Sequence, residues 1–120
     1  EPAWPHEGFT LVTQNVDGLH ELAGTRGVIR FHGSIWQLRC AGSCGAKPSG
    51  WEDRRASLPE IPPSCPDCGG LARPGVVWFG EAIPADALED AQRALDCDVC
   101  VVAGTSSLVT PAAWLVDEAR

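Results

Sequence analysis

Residues 76–107 read VVWFGEAIPADALEDAQRALDCDVCVVAGTSS, and this stretch decides the fold. Val76-Val77-Trp78-Phe79 is a short apolar run that suits a buried strand. Pro84 to Leu95 then fits a helix. Pro84 suits its first turn, where a missing N–H costs nothing, and Ala87, Leu88, Ala91, Ala94 and Leu95 fall on one face. Val99 to Ala103 is again an apolar run, read as a buried strand and closed by Gly104-Thr105-Ser106-Ser107. A second helix starts near Pro111, with Ala112, Leu115, Val116 and Ala119 on one side. Strand, helix, strand, loop, helix is the alternation that builds a parallel sheet, so an open α/β domain is expected.

Upstream, Phe9 to Thr13 reads as a buried strand ending in the polar cluster Gln14-Asn15-Val16-Asp17-Gly18. Leu19 to Ala23 fits a short helix stopped by Gly24. Val28 to His32 reads as another strand, ended by Gly33-Ser34, and Ile35 to Arg39 alternates weakly enough to be a further one.

Residues 40–74 differ in composition: four cysteines, many prolines and few aliphatic side chains. Such a stretch cannot build its own core and needs a staple. Cys40 and Cys44 have three residues between them, Cys65 and Cys68 two, and twenty separate the couples. That is the spacing of a structural zinc ribbon, in which short turns aim paired thiolates at one point. The alternative is two disulfides or free thiols. Pro66 and Gly69-Gly70 suit a tight knuckle turn, and Arg39, Lys47 and Arg73 lie where they would offset the charge of four thiolates. Cys97 and Cys100 also form a C-x-x-C, but Cys100 falls in the apolar run, so both read as buried packing.

The chain of 120 residues fits one ordinary domain, and 44% apolar residues allow a packed core. A formal charge of −7 argues against nucleic acid as partner, since phosphate binding needs a basic face. No apolar run approaches a membrane span, and no signal peptide opens the chain. With paired cysteines spaced for metal, a reducing cytoplasm is the expected compartment. Residues 1–8 start no element, and the chain stops at Arg120 inside an amphipathic stretch, so a piece of a longer protein is expected.

In parallel α/β sheets ligands bind beyond the carboxyl ends of strands. Three such ends carry polar clusters here: Gln14, Asn15 and Asp17; His32, Gly33 and Ser34; and Gly104 to Ser107. Singly, each has an ordinary explanation: a helix cap at Asn15 or Asp17, a hydrogen-bonded histidine, a turn. One sheet edge would gather all three, and a Gly-Thr-Ser loop before a helix suits a phosphate or ribose.

These residues resemble a family. Thr13-Gln14-Asn15-Val16-Asp17-Gly18-Leu19-His20 is similar to the sirtuin T-Q-N-[IV]-D-x-L-H motif, and Phe31-His32-Gly33-Ser34 resembles its H-G segment with the catalytic histidine. The two cysteine couples match its zinc module. Arg73-Pro74-Gly75-Val76-Val77-Trp78-Phe79-Gly80-Glu81 resembles its substrate-binding strand and F-G-E loop, and Gly104-Thr105-Ser106-Ser107 its G-T-S loop. The matches run in family order from residue 9 to about 119.

The resemblance implies a Rossmann-like NAD-binding part, residues 1–39 and 73–120, with a zinc-binding module at 40–72 inserted. It implies NAD-dependent deacylation of protein lysines. The acyl-lysine oxygen attacks the ribose C1′ as nicotinamide leaves, and His32 then serves as general base on a ribose hydroxyl, a role suited to a side chain of pKa near 6.5. The family pattern assigns Gln14, Asn15, Val16, Asp17 and Gly104 to Ser107 to NAD. It assigns Cys40, Cys44, Cys65 and Cys68 to zinc, and Val77, Phe79, Gly80 and Glu81 to the substrate peptide, added as a strand. Trp78 before Phe79 resembles the subclass that removes acidic acyl groups such as succinyl. The family's glycine-rich segment would precede residue 1 and its adenine-holding loops would follow residue 120, so the chain alone is expected to be inactive. Two rivals remain: a zinc-ribbon protein-binding module without catalysis, which leaves the polar clusters unexplained, and a generic nucleotide-binding fragment, which leaves the cysteines unexplained.

Overall fold

A computed structural model describes residues 8–42, 44–45, 50–106 and 108–119. In chain order its elements are β1 (Val12–Thr13), α1 (Leu19–Leu22), β2 (Ile29–Arg30), β3 (Gly33–Cys40), β4 (Trp51–Glu52), β5 (Ala72–Val76), α2 (Ala85–Arg93) and α3 (Ala112–Glu118). Lys47 and Ser107 lie outside the described residues.

β1 and β2 pair in parallel, Val12 opposite Ile29 and Thr13 opposite Arg30, with α1 in the crossover. The pairing extends at both ends, because Ile29 N donates to Leu11 O and Phe31 N to Thr13 O, each at 2.9 Å. Against this pair lies the core. Phe31, Ala91 of α2 and Ala112 of α3 are buried, with Val12, Ile29, Ile83, Leu88 and Leu115 packed round them. The alanines let both helices approach the Phe31 ring, whose full burial is worth about 2–3 kcal/mol. The apolar face read from α2 therefore meets the core through Leu88 and Ala91.

β3 follows β2 after only Phe31 and His32, and leads out of the parallel pair into a three-stranded antiparallel sheet of order β4-β3-β5. His32 thus sits at the joint between two sheets. Gly33 makes the joint possible: its φ is +77°, and a Cβ there would lie 2.0 Å from the Gly75 carbonyl oxygen. The β3–β5 register runs from Gly33 opposite Val76 to Cys40 opposite Ala72, with an irregularity between Ser34 and Leu38. Both strands carry on to the cysteine knuckle.

Two of the expected strands are not found. The run Val76–Phe79 is not a buried strand: β5 covers Ala72–Val76, pairs antiparallel with β3, and leaves Trp78 and Phe79 exposed. The physical cause is a turn. Glu81 N donates to Trp78 O at 2.9 Å and Gly80 has a φ of +85°, the pattern of a type II turn with glycine third. The run Val99–Ala103 is not a strand either. Val99, Val101 and Val102 are exposed, as are Cys97 and Cys100, which are therefore not buried packing. A strand exists by its ladder, and among the described residues none pairs with this run. No helix among the described residues is long and apolar enough to cross a membrane.

Candidate functional site

The polar clusters after β1 and β2 and the Gly-Thr-Ser loop converge. Thr13 Oγ1 accepts the Asn15 N–H at 3.1 Å, which turns the chain as it leaves β1. Gln14 Nε2 donates to Thr105 Oγ1 at 3.2 Å across ninety-one positions of sequence. His32 Nδ1 lies 3.3 Å from the Gln14 carbonyl oxygen. A carbonyl can only accept, so it selects the tautomer with hydrogen on Nδ1. Nε2 is then left with its lone pair, the form a general base requires. The Phe31 ring meets the imidazole edge-on, centroids 5.4 Å apart, and limits its rotation.

The loop between β1 and α1 is pinned from the far side by β3. Ile35 N donates to Val16 O at 3.0 Å, and Trp36 Nε1 donates to Asp17 O at 2.5 Å. The Asp17 carboxylate accepts the Leu19 N–H at 3.0 Å, a local Asx-type turn that leads into α1, while the N-cap position itself is Gly18 with no side-chain cap. Asn15 is exposed beside these anchors, and Gly104 and Ser106 are exposed on the facing loop. Sequence reasoning missed Trp36. An aromatic in an alternating strand carries no sign that its indole will hold a loop nineteen residues upstream.

Beside this cluster lies the 77–81 loop. Val77 N donates to His32 O at 3.0 Å, so the loop hangs from the histidine's own main chain. The Glu81 carboxylate accepts from Arg39 Nη2 at 2.9 Å, from Arg73 Nη2, and from the Trp78 N–H at 3.0 Å. That N–H and the Arg73 guanidinium hold the Glu81 carboxyl below the usual carboxylate range. Arg73 also stacks on the Trp78 ring, 3.9 Å from its centroid. Trp78 and Phe79 project into solvent, Phe79 at 96% exposure.

The sulfurs of Cys40, Cys44, Cys65 and Cys68 all lie within 4.8 Å of one another. Two of the separations are 3.6 Å, Cys40 to Cys68, and 3.9 Å, Cys44 to Cys65. A tetrahedron of zinc–sulfur bonds near 2.3 Å has edges of about 3.8 Å, so the set fits Zn²⁺. The second couple forms the knuckle expected of its glycines: Cys65 N donates to Gly70 O, Gly69 N to Cys65 O, and Gly70 N to Cys68 Sγ. Four protein ligands close the coordination sphere, which suits a structural ion. The disulfide alternative does not describe this arrangement, since the Cys40–Cys68 and Cys44–Cys65 sulfurs stand 3.6 Å and 3.9 Å apart, against about 2.05 Å in a disulfide. Arg39 and Arg73, expected to balance the thiolate charge, have their guanidinium groups on Glu81.

A parallel βαβ pair carrying a histidine and an amide-rich loop, joined to a four-thiol knuckle, defines a Rossmann-like α/β fold with an inserted zinc ribbon. The comparisons agree. The model of the Sir2 family matches residues 4–111. The NAD-dependent protein deacylase of Aquifex aeolicus is 53% identical over 108 residues, which cover 89% of this chain and 44% of that protein. Among solved structures, a Sir2 homologue bound to NAD is 48% identical, with a TM-score of 0.83, covering 92% of this chain and 42% of that one. A Sir2 structure with an inhibitor, 2′-O-acetyl-ADP-ribose and a deacetylated p53 peptide is 32% identical, with a TM-score of 0.73, covering 92% and 47%. The chain belongs to the Sir2 family. It spans less than half the length of these relatives.

Proposed function

We propose that this chain is the catalytic-histidine and zinc-bearing part of an NAD-dependent protein-lysine deacylase that transfers the acyl group to ADP-ribose and releases nicotinamide. The observation that carries this reading is the convergence of His32, Gln14 and Thr105 at one edge. His32 Nε2 takes the proton of a ribose hydroxyl, and the Gln14 carbonyl steadies the imidazolium that results. Gln14, Asn15, Val16, Asp17, Gly104, Thr105, Ser106 and Ser107 bind NAD, whose glycosidic bond supplies the electrophilic ribose carbon. Val77, Phe79, Gly80 and Glu81 receive the acyl-lysine peptide as an added strand. Cys40, Cys44, Cys65 and Cys68 hold one structural Zn²⁺. Residues 1–39 and 73–120 form the NAD-binding part and 40–72 the zinc module. The setting is cytoplasmic, where thiolate ligands stay reduced. Acyl groups up to the acidic succinyl type are candidate cargo, on the ground of Trp78 before Phe79.

The test uses the full-length protein and its His32→Ala variant. Acyl-lysine turnover with NAD is expected to fall about 10²–10⁴-fold, the usual worth of a positioned general base. Exchange of labelled nicotinamide is expected to survive better, because bond cleavage precedes the step His32 assists. Undiminished deacylation in the variant would remove His32 from the mechanism.

A further inference from the structure

Arg39 of β3 and Arg73 of β5 stand directly opposite one another in the antiparallel ladder. Like charges in that position repel, and an anion shared between them relieves the repulsion. The structure supplies one from outside the sheet. Each oxygen of the Glu81 carboxylate serves one arginine, Oε2 taking Arg39 and Oε1 taking Arg73. Oε2 also takes the Trp78 N–H, which closes the turn on itself. The Arg73 guanidinium then covers one face of the Trp78 ring and donates to Val76 O at 3.5 Å. The Arg39–Glu81 and Arg73–Glu81 ion pairs and the Arg73–Trp78 stack run between the two strands that leave the cysteine knuckle and the turn that carries Phe79 and Gly80.

We propose that Arg39 and Arg73 are positioning residues: through Glu81 they fix the 77–81 turn as a rigid edge for the substrate peptide, in register with His32. The register follows from the Val77 N–H bonded to His32 O at the start of the same turn. Neither arginine need touch substrate. Their work is to hold an exposed edge that would otherwise be ordered only when peptide arrives, so that the ordering cost does not weaken binding. This inference rests on the deacylase reading, but the clamp can be tested apart from it.

The experiment uses full-length, zinc-loaded protein carrying Arg73→Gln, and separately Arg39→Gln. First, amide exchange across residues 77–81 without substrate is expected to quicken at least about tenfold in each variant, with zinc content unchanged. Second, KM for an acyl-lysine peptide is expected to rise about tenfold while KM for NAD holds. Third, Arg73→Gln added to Glu81→Gln is expected to change little further, since both remove one unit. Unchanged exchange, unchanged peptide KM, or fully additive effects would each overturn the proposal. Should Arg73→Gln fail to fold, Arg39→Gln, on the other strand, carries the same readouts. A wild-type protein inert toward acyl-lysine peptides would overturn the deacylase reading and the peptide role with it. Amide exchange would still report whether the clamp exists.

Discussion

Gly33 bears more of the architecture than its size suggests. It stands between the histidine of one sheet and the first pairing of the next, and no side chain fits there. A methyl group would collide with the Gly75 carbonyl, and an L-residue would also be strained at a φ of +77°. Gly33→Ala is therefore expected to destabilise the full-length protein by roughly 2–4 kcal/mol, read from denaturant unfolding. A change within a few tenths would show that β3 and β5 part at no cost. Glu81 gives a second expectation at this scale. Its folded pKa lies below the ordinary carboxylate value, held there by the Trp78 N–H and Arg73. The stabilisation is then fully present above the unfolded carboxylate pKa, about 4.3, and is lost as pH falls through the folded value. The stability gap between wild type and Glu81→Gln should accordingly be constant near neutrality and close on acidification. A gap that widens at low pH would contradict the sign. The four thiols were legible from their spacing alone, because metal geometry restricts how paired ligands can be set along a chain, and their sulfurs do converge. Trp36 and the Arg39–Glu81–Arg73 bridge were not, because their partners come from strand register, which no local pattern states.

The elements divide by how they earn their order. α1, α2 and α3 fall within a few residues of where periodicity and Pro84 put them, since a helix satisfies its own backbone. Strands depend on partners, and there the reading failed twice. Val76–Phe79 gave way to a glycine turn, and Val99–Ala103 finds no ladder among the described residues, although its apolar content is that of a strand. The cysteine stretch was read correctly for the opposite reason: with little core of its own, its order must come from the ligands. Among the described residues from Cys44 to Leu71, all but Cys65 are half-buried or exposed. Structural zinc contributes roughly 10 kcal/mol or more of apparent binding free energy, which here is folding free energy. Cys65→Ser, removing the most buried ligand, is expected to release the ion and melt residues 40–72 while α2 stays on Phe31. Metal analysis and residue-resolved amide exchange read the two effects. One zinc retained per chain in that variant would mean the fourth thiol is dispensable.

At the scale of the whole chain, the balance of surface is unusual. Among the described residues only six apolar side chains are buried, Phe31, Leu38, Cys65, Ala72, Ala91 and Ala112, and the one well-populated core gathers round Phe31. Against that, Val99, Val101, Val102, Leu108 and Trp114 are exposed in one stretch of sequence. Scattered apolar residues on a surface need no explanation, but a run with strand composition that pairs with none of the described residues offers both apolar area and backbone groups for pairing. The net charge of −7 opposes association only weakly at physiological salt, where repulsion fades beyond about 8 Å. Prepared as these 120 residues with zinc, the chain is therefore expected to self-associate in the micromolar range. Sedimentation velocity over a hundredfold dilution should show the mean mass falling towards 12.7 kDa. Val99→Lys with Val101→Asp should shift that midpoint upward by about tenfold or more, because the charges break the run and leave the Phe31 core untouched. A midpoint unmoved by this pair would place the adhesive surface elsewhere, and the exposed Trp78–Phe79 turn would be the next to alter.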